Sequence, residues 1–271
     1  MRRITWFNAV SLTLGFAFLY IPMLILIIFS FNSSKLVTVW AGFSTKWYGE
    51  LIRNEAFLDA AWVTLKVAVL SSTAATVLGT MAAYVMVRGG RFFGRTLFSG
   101  MIYAPLVMPE VITGLSLLLL FISIGLDRGV LTIVLAHATF SMCYVSVVVS
   151  SRLVSFDRSV EEAALDLGCT PFEAFRLVTL PIILPAVISG WLLAFTLSLD
   201  DLVIASFTAG PSSTTLPIKI FSSVRLGVSP EINALSTIMI AIVTVGVIAT
   251  SLLSKQAIAR QQREEREAAQ A

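Results

Sequence analysis

Charge is what this sequence has least of. Asp, Glu, Lys and Arg together make 13% of its 271 residues, 57% are hydrophobic, and mean hydropathy is +0.89. Soluble domains are roughly half apolar and a quarter charged, so a water-soluble globular protein is excluded. Only two cysteines and one histidine occur. Cys143 sits in an apolar run and Cys169 in a polar stretch, so neither a disulfide nor a Cys/His metal site is expected. No Gly-x-x-x-x-Gly-Lys-Ser/Thr string is present, and ATP binding by the usual phosphate loop is not expected of this chain. Repeats and low-complexity segments are also missing. The net charge of +3 lies in short clusters at the ends of apolar runs and not along a basic face, so no nucleic-acid partner is assigned.

What the chain does have is long apolar runs. Arg2 and Arg3 precede the first, residues 9–31, which is longer than a signal-peptide core and lacks a small-x-small cleavage site. Further runs at about 62–87, 100–124, 130–149, 182–206 and 232–253 are each near the ~20 residues that a bilayer needs. The expectation is an all-α integral membrane protein of six spans, a single transmembrane domain over residues 1–271. With the N-terminus inside, the inner segments hold twelve of the nineteen Lys and Arg residues, which places both termini in the cytoplasm. Trp40, Trp47, Tyr48 and Trp62, with the amphipathic segment 46–59, read as an interfacial helix at the outer surface. Asn32-Ser33-Ser34 matches a glycosylation sequon by chance. The tail 255–271 reads as a solvated helical extension.

One polar island interrupts the second half, residues 159–181. Ser159 with Glu162 reads as a capping box, Gly168 as a helix stop, and Thr170-Pro171 with Glu173 as a second helix start. Val160, Ala163, Ala164 and Leu167 fall on one face, with Glu161 and Asp166 toward the other side. A small, flat apolar face with acidic flanks suits docking, and the charge count puts it in the cytoplasm.

Glu162-Ala163-Ala164, then Gly168 past three residues, then Val178-Thr179-Leu180-Pro181 resemble the EAA loop of bacterial ABC importer permeases. Val178 stands where Ile is usual. Six spans and the loop position agree with the type I importer permease fold. Within that family, Ser30 to Lys35, Phe43 to Tyr48, Pro109-Glu110, Ser198 to Asp201, Gly210-Pro211 and Gly227 to Leu235 look like polyamine permeases. Residues 32–42 look like the second permease subunit of putrescine importers. The resemblance implies a bacterial inner membrane location, a homologous second permease, two ATPase subunits that bind ATP and Mg, and a periplasmic polyamine-binding protein. It also implies a coupling role for Glu161, Glu162, Ala163, Ala164, Asp166 and Gly168.

Asp200, Asp201 and Glu110 lie at or near membrane depth, where a carboxylate costs at least ~2.5 kcal/mol and must face protein or an aqueous path. Three acids favour a cation as cargo, and a diamine needs weak sequential carboxylate and aromatic contacts. Tyr103, Trp191 and Phe195 are aromatic candidates. The structural alternative for the Asp pair is a helix cap or an interhelical bond. His137 reads as a packing residue. Three rivals are weighed: the same fold carrying another small solute; an ATP-independent carrier or channel, which leaves the capped island unexplained and for which six spans without a repeat are few; and an intramembrane serine protease built on Ser116 and His137, for which no activating or oxyanion motif appears.

Overall fold

The computed structural model describes residues 5–36, 39–227 and 229–245. Its helices are α1 (Trp6–Ser30), α2 (Lys46–Arg53), α3 (Glu55–Arg88), α4 (Arg95–Val107), α5 (Glu110–Ser123), α6 (Val130–Ser155), α7 (Ser159–Asp166), α8 (Pro171–Ala174), α9 (Leu180–Asp200), α10 (Val203–Thr208), α11 (Leu216–Leu226) and α12 (Pro230–Val245). A π-helical turn, Phe175–Thr179, joins α8 to α9. Contacts divide the chain into two units, Met1–Glu55 with Ser223–Ala271, and Ala56–Ser222.

In the first unit, α1 is 25 residues long and buries only Ser30. A helix apolar all round belongs in lipid or against other membrane helices. After α1 the chain folds around Asn32, whose Nδ2 donates to the Val39 carbonyl at 2.7 Å. Its Oδ1 accepts from the amides of Ser34 at 3.2 Å and Ala41 at 2.9 Å. The sequon's acceptor amide is thus spent inside the loop. The Asn32 carbonyl accepts from Trp47 Nε1 at 2.6 Å, so Trp47 is a buried anchor of this loop and not an interfacial side chain. The expected amphipathic piece 46–59 is also divided, because Asn54 leaves helical geometry and ends α2. Its Nδ2 instead donates to Glu231 Oε2, at the start of α12, at 2.9 Å. The sixth expected span is described as far as Val245. Residues 246–253, the tail 255–271, and Arg2 and Arg3 lie outside the described residues.

In the second unit α6 is the hub, with α9 packed along it and α4, α5 and α10 also against it. Val145, Val149 and Leu153 of α6 form a core with Ala75 and Ala83 of α3 and Ile183 and Ala194 of α9. Helices in lipid lack a hydrophobic drive to associate and depend on close backbone approach, which small residues allow. Gly79 shows how close: a Cβ there would lie 2.7 Å from the Met142 carbonyl oxygen and 2.8 Å from Val145 Cβ. Gly79→Val is therefore expected to destabilise the permease by about 1–3 kcal/mol through overpacking, read as a lower melting temperature of the purified complex. Gly79→Ala gives a smaller shift of the same sign.

The second and fourth apolar runs lie within the straight helices α3 and α6. The third does not form one straight span. It breaks at Met108-Pro109, and α4 and α5 meet at 119°. Pro109 has no amide hydrogen and pushes the preceding residue out of the α region, and Met108 is extended at φ −77°, ψ 136°. The fifth run also breaks, with α9 ending at Asp200 and Asp201 extended before α10. Among the described residues four helices are long and apolar enough to cross a membrane, or five if α4 and α5 form one bent span.

Candidate functional site

Two clusters gather some of the polar residues singled out in the sequence. The first is the island at α7. Its capping differs from the Ser159–Glu162 box that the sequence suggests. Arg158 is already helical, Asp157 Oδ1 accepts from the Ser159 amide at 3.0 Å, and Glu162 pairs instead with Arg158 across one exposed turn at 3.1 Å. Asp157, two residues earlier, outcompetes Ser159 as the local acceptor, and that contact holds its carboxyl below the usual carboxylate range. The helix stop is as expected. Gly168 has φ +94°, a region that disfavours side chains. The Gly168 amide donates to the Leu165 carbonyl at 2.9 Å and the Cys169 amide to the Ala164 carbonyl at 3.1 Å, the double closure of a Schellman turn. The second capping box also forms. Thr170 Oγ1 accepts from the Glu173 amide at 3.3 Å, and Glu173 Oε2 accepts from the Thr170 amide at 2.8 Å.

The second helix, expected to stand alone, is only four residues long and runs through the π turn into α9. The Leu180 amide reaches back five residues to the Phe175 carbonyl. The widened turn directly precedes Pro181, whose missing amide hydrogen and bulky ring disturb the regular ladder.

The facing of α7 also differs in part from its sequence pattern. Val160, Ala163 and Leu167 are exposed as expected, joined by Phe172, with Leu167 87% and Phe172 71% open. Glu162 and Asp166 flank them in solvent. Ala164 turns inward, as does Glu161, which is 8% exposed. Both Glu161 oxygens are occupied: Oε2 accepts from Arg88 Nε at 2.7 Å and Oε1 from Thr179 Oγ1 at 2.7 Å.

The second cluster surrounds His137, which is 2% exposed on α6. Its Nδ1 lies 2.7 Å from Ser198 Oγ, which accepts from Ser71 Oγ at 3.0 Å. Nε2 faces Asp201 Oδ1 at 3.3 Å, off the line of a hydrogen bond. The same Asp201 oxygen accepts from the Ala205 amide at 2.7 Å, which caps the first turn of α10. One buried network therefore ties α3, α6, α9 and α10 together. Ser71 was not singled out from sequence, and Ser198 entered only as part of the Ser198 to Asp201 resemblance. The i, i+3 spacing of Ser198 and Asp201 was the available signal, since it sets both on one face.

Asp200, adjacent in sequence, is exposed at the last turn of α9. Glu110 is exposed at the first position of α5, beside the 119° bend. Trp191 stacks on Phe195 with ring centroids 5.2 Å apart, and its Nε1 donates to Thr73 Oγ1 at 3.1 Å. Tyr103 is half-buried on α4. No hydrogen bond, ion pair or ring contact among the described residues joins Glu110, Tyr103 or Trp191 to Asp200. A hollow of about 420 Å³ opens elsewhere, lined by Asp59, Val63, Ser212, Thr214 and Lys219 among others. The Ser116–His137 pair does not form: Ser116 is exposed on α5 and the His137 Nδ1 is taken by Ser198.

Comparison with known proteins accounts for this layout. Residues 75–263 match the family described as binding-protein-dependent transport system inner membrane component. The chain is 61% identical over 260 residues to the putrescine transport system permease protein PotI of Escherichia coli K12, covering 93% of this chain and 92% of that one. It is 45% identical over 244 residues to the spermidine/putrescine transport system permease protein PotC of the same organism, with 90% and 92% covered. In three dimensions it resembles a chain of a bacterial ABC transporter that imports the acidic polysaccharide alginate, with TM-score 0.71, 18% identity, and 91% and 94% covered. A chain of the methionine transporter MetNI aligns with TM-score 0.59 at 15% identity, over 77% of this chain and 95% of that one. The fold is that of an ABC importer permease, and the chain belongs to the binding-protein-dependent transport system inner membrane components, membrane subunits that are not themselves catalysts.

Proposed function

We propose that the chain is one of two homologous permease subunits of an ATP-driven importer for a polyamine, putrescine above all. The observation that carries this reading is 61% identity to a putrescine permease along nearly the whole chain. In this reading two ATPase subunits bind ATP and Mg, a periplasmic binding protein delivers the polyamine, and both termini lie in the cytoplasm. The exposed Val160, Ala163, Leu167 and Phe172 on a segment that is too polar to be a span form the seat for the ATPase. Glu162 and Asp166 rim that seat, and Gly168 sets the angle at which α7 is presented. α1 faces lipid or the second permease.

For the cargo path the open carboxylates are the useful ones. Asp200 and Glu110 offer weak, exchangeable contacts to an ammonium group, with Tyr103 and Trp191 as aromatic surface. Asp201, enclosed by His137 and the α10 cap, holds the path in shape. The test is reconstitution with the partner subunits in vesicles, following ATP-dependent uptake of labelled putrescine against spermidine. Uptake that exceeds background only with ATP, and prefers putrescine, is the expected result. Uptake without ATP overturns the transport reading, and equal uptake of spermidine overturns the substrate assignment.

A further inference from the structure

A helix that receives a push from a partner moves the rest of the molecule only if something stiff joins it to the spans. At both ends α7 hangs on turns: the extended residue Phe156 and Asp157 before it, and Gly168 in a left-handed conformation after it. Between those turns, Glu161 is the polar side chain that α7 buries. Its two oxygens go to two different elements, one to Arg88 at the last position of α3 and one to Thr179 in the π turn that leads into α9, each at 2.7 Å. The Arg88 guanidinium also donates to the Phe156 carbonyl at 3.5 Å and lies 5.7 Å from the Phe156 ring. One turn earlier on α3, Tyr84 packs edge-on against Phe175 of the same π turn at 4.9 Å. One carboxylate thus pins α7, α3 and the head of α9 at a single point.

The neighbouring glutamate sits in a different environment. Glu162 pairs with Arg158 at 3.1 Å, but those side chains are 59% and 66% exposed, and such a pair in water contributes little. The Arg88–Glu161 side chains are each 11% exposed. Charge-assisted bonds shielded from solvent are short and strong, and removing one partner leaves the other charge buried without compensation. The π turn contributes geometry. Its extra residue rotates the segment before it by about 100° relative to α9, and Thr179 sits at its end, buried against Glu161.

We infer that Arg88, Glu161 and Thr179 form a joint that carries displacement of α7 into α3 and α9, with Glu161 a positioning residue and not an ATPase contact. This rests on the reading of α7 as the ATPase seat. The experiment compares Glu161→Gln, Arg88→Gln, Arg88→Lys and Thr179→Val with the wild type in the full complex in vesicles, measuring ATPase retained, ATP hydrolysed and putrescine taken up. Glu161→Gln and Arg88→Gln are expected to retain the ATPase and its basal hydrolysis while uptake per ATP falls about tenfold or more. Thr179→Val, which deletes one bond without changing shape, lowers it about threefold. Arg88→Lys recovers part of the loss. A merely structural role lowers uptake and hydrolysis in proportion, so an unchanged ratio in Glu161→Gln or, where that chain fails to assemble, in Thr179→Val overturns the joint. Loss of the ATPase from Glu161→Gln also overturns it, by making Glu161 a docking contact. The seat itself is tested separately by Leu167→Asp. If that variant keeps its ATPase, the docking reading fails whatever Glu161 does.

Discussion

Leu167→Asp is expected to strip the partner ATPase from the complex while leaving the permease folded and in the membrane. Leu167 is 87% exposed, so the permease alone loses almost no packing when it changes. Docking of an apolar side chain of this size is favourable by about 1.5–3 kcal/mol, which at 1.4 kcal/mol per decade is roughly a tenfold to hundredfold factor in affinity. A carboxylate in its place forfeits that gain and adds a desolvation cost, so the net loss is about a hundredfold or more. The measurement is the ATPase-to-permease ratio after affinity purification, together with uptake. Retention of a full complement of ATPase refutes the assignment of this face. Gly168→Val probes the same seat through the backbone. A Cβ at Gly168 meets nothing within 4 Å, so any effect comes from φ +94°, where a side chain costs about 1–2 kcal/mol. The expected loss of coupled uptake is about five- to thirtyfold, with permease yield unchanged.

These two neighbours also indicate which features a sequence carries and which it hides. The Gly168 stop and the Thr170–Glu173 box are set by residues within four positions of one another, and both formed as their spacing implied. The apolar runs mark most spans for the same reason, since length and composition are local properties. Glu161 and Glu162 could not be told apart by such rules. Their environments differ because Arg88 lies 73 positions away and Thr179 sits in a π turn that no propensity marks. The same holds for Trp47, drawn inward by the Asn32 carbonyl, and for His137, whose partners Ser198 and Asp201 arrive from another helix. Pro109 by itself disfavours a helical Met108, but the 119° bend also involves how α5 packs against α10 and α6. Where a polar side chain finds a distant partner, tertiary structure decides its role.

That distinction separates Asp200 from Asp201, which the sequence offers as an equivalent pair. Asp201→Ala removes the acceptor from the Ala205 amide and the anion beside His137. Loss of such a cap costs about 1 kcal/mol, and an amide left unpaired inside the protein costs about 1–3 kcal/mol. The expected phenotype is a complex that melts at lower temperature and accumulates less, with uptake per surviving complex largely preserved. Asp201→Asn, which keeps an acceptor for the cap, is milder in both respects. Asp200 is exposed, and among the described residues no side-chain hydrogen bond ties it to a neighbouring helix. Asp200→Asn is therefore expected to leave thermal stability unchanged and to slow putrescine passage. Raising the barrier by as little as about 1.4 kcal/mol, a modest share of one carboxylate–ammonium contact, reduces the rate tenfold. Because the lost contact is electrostatic, the wild-type advantage over Asp200→Asn shrinks as ionic strength rises. Uptake and melting temperature measured on both variants at matched complex levels decide the matter. An Asp200→Asn complex that transports like the wild type, beside a fully assembled Asp201→Asn complex that does not, reverses the assignment and moves the cargo path to the His137 side of the α9 terminus.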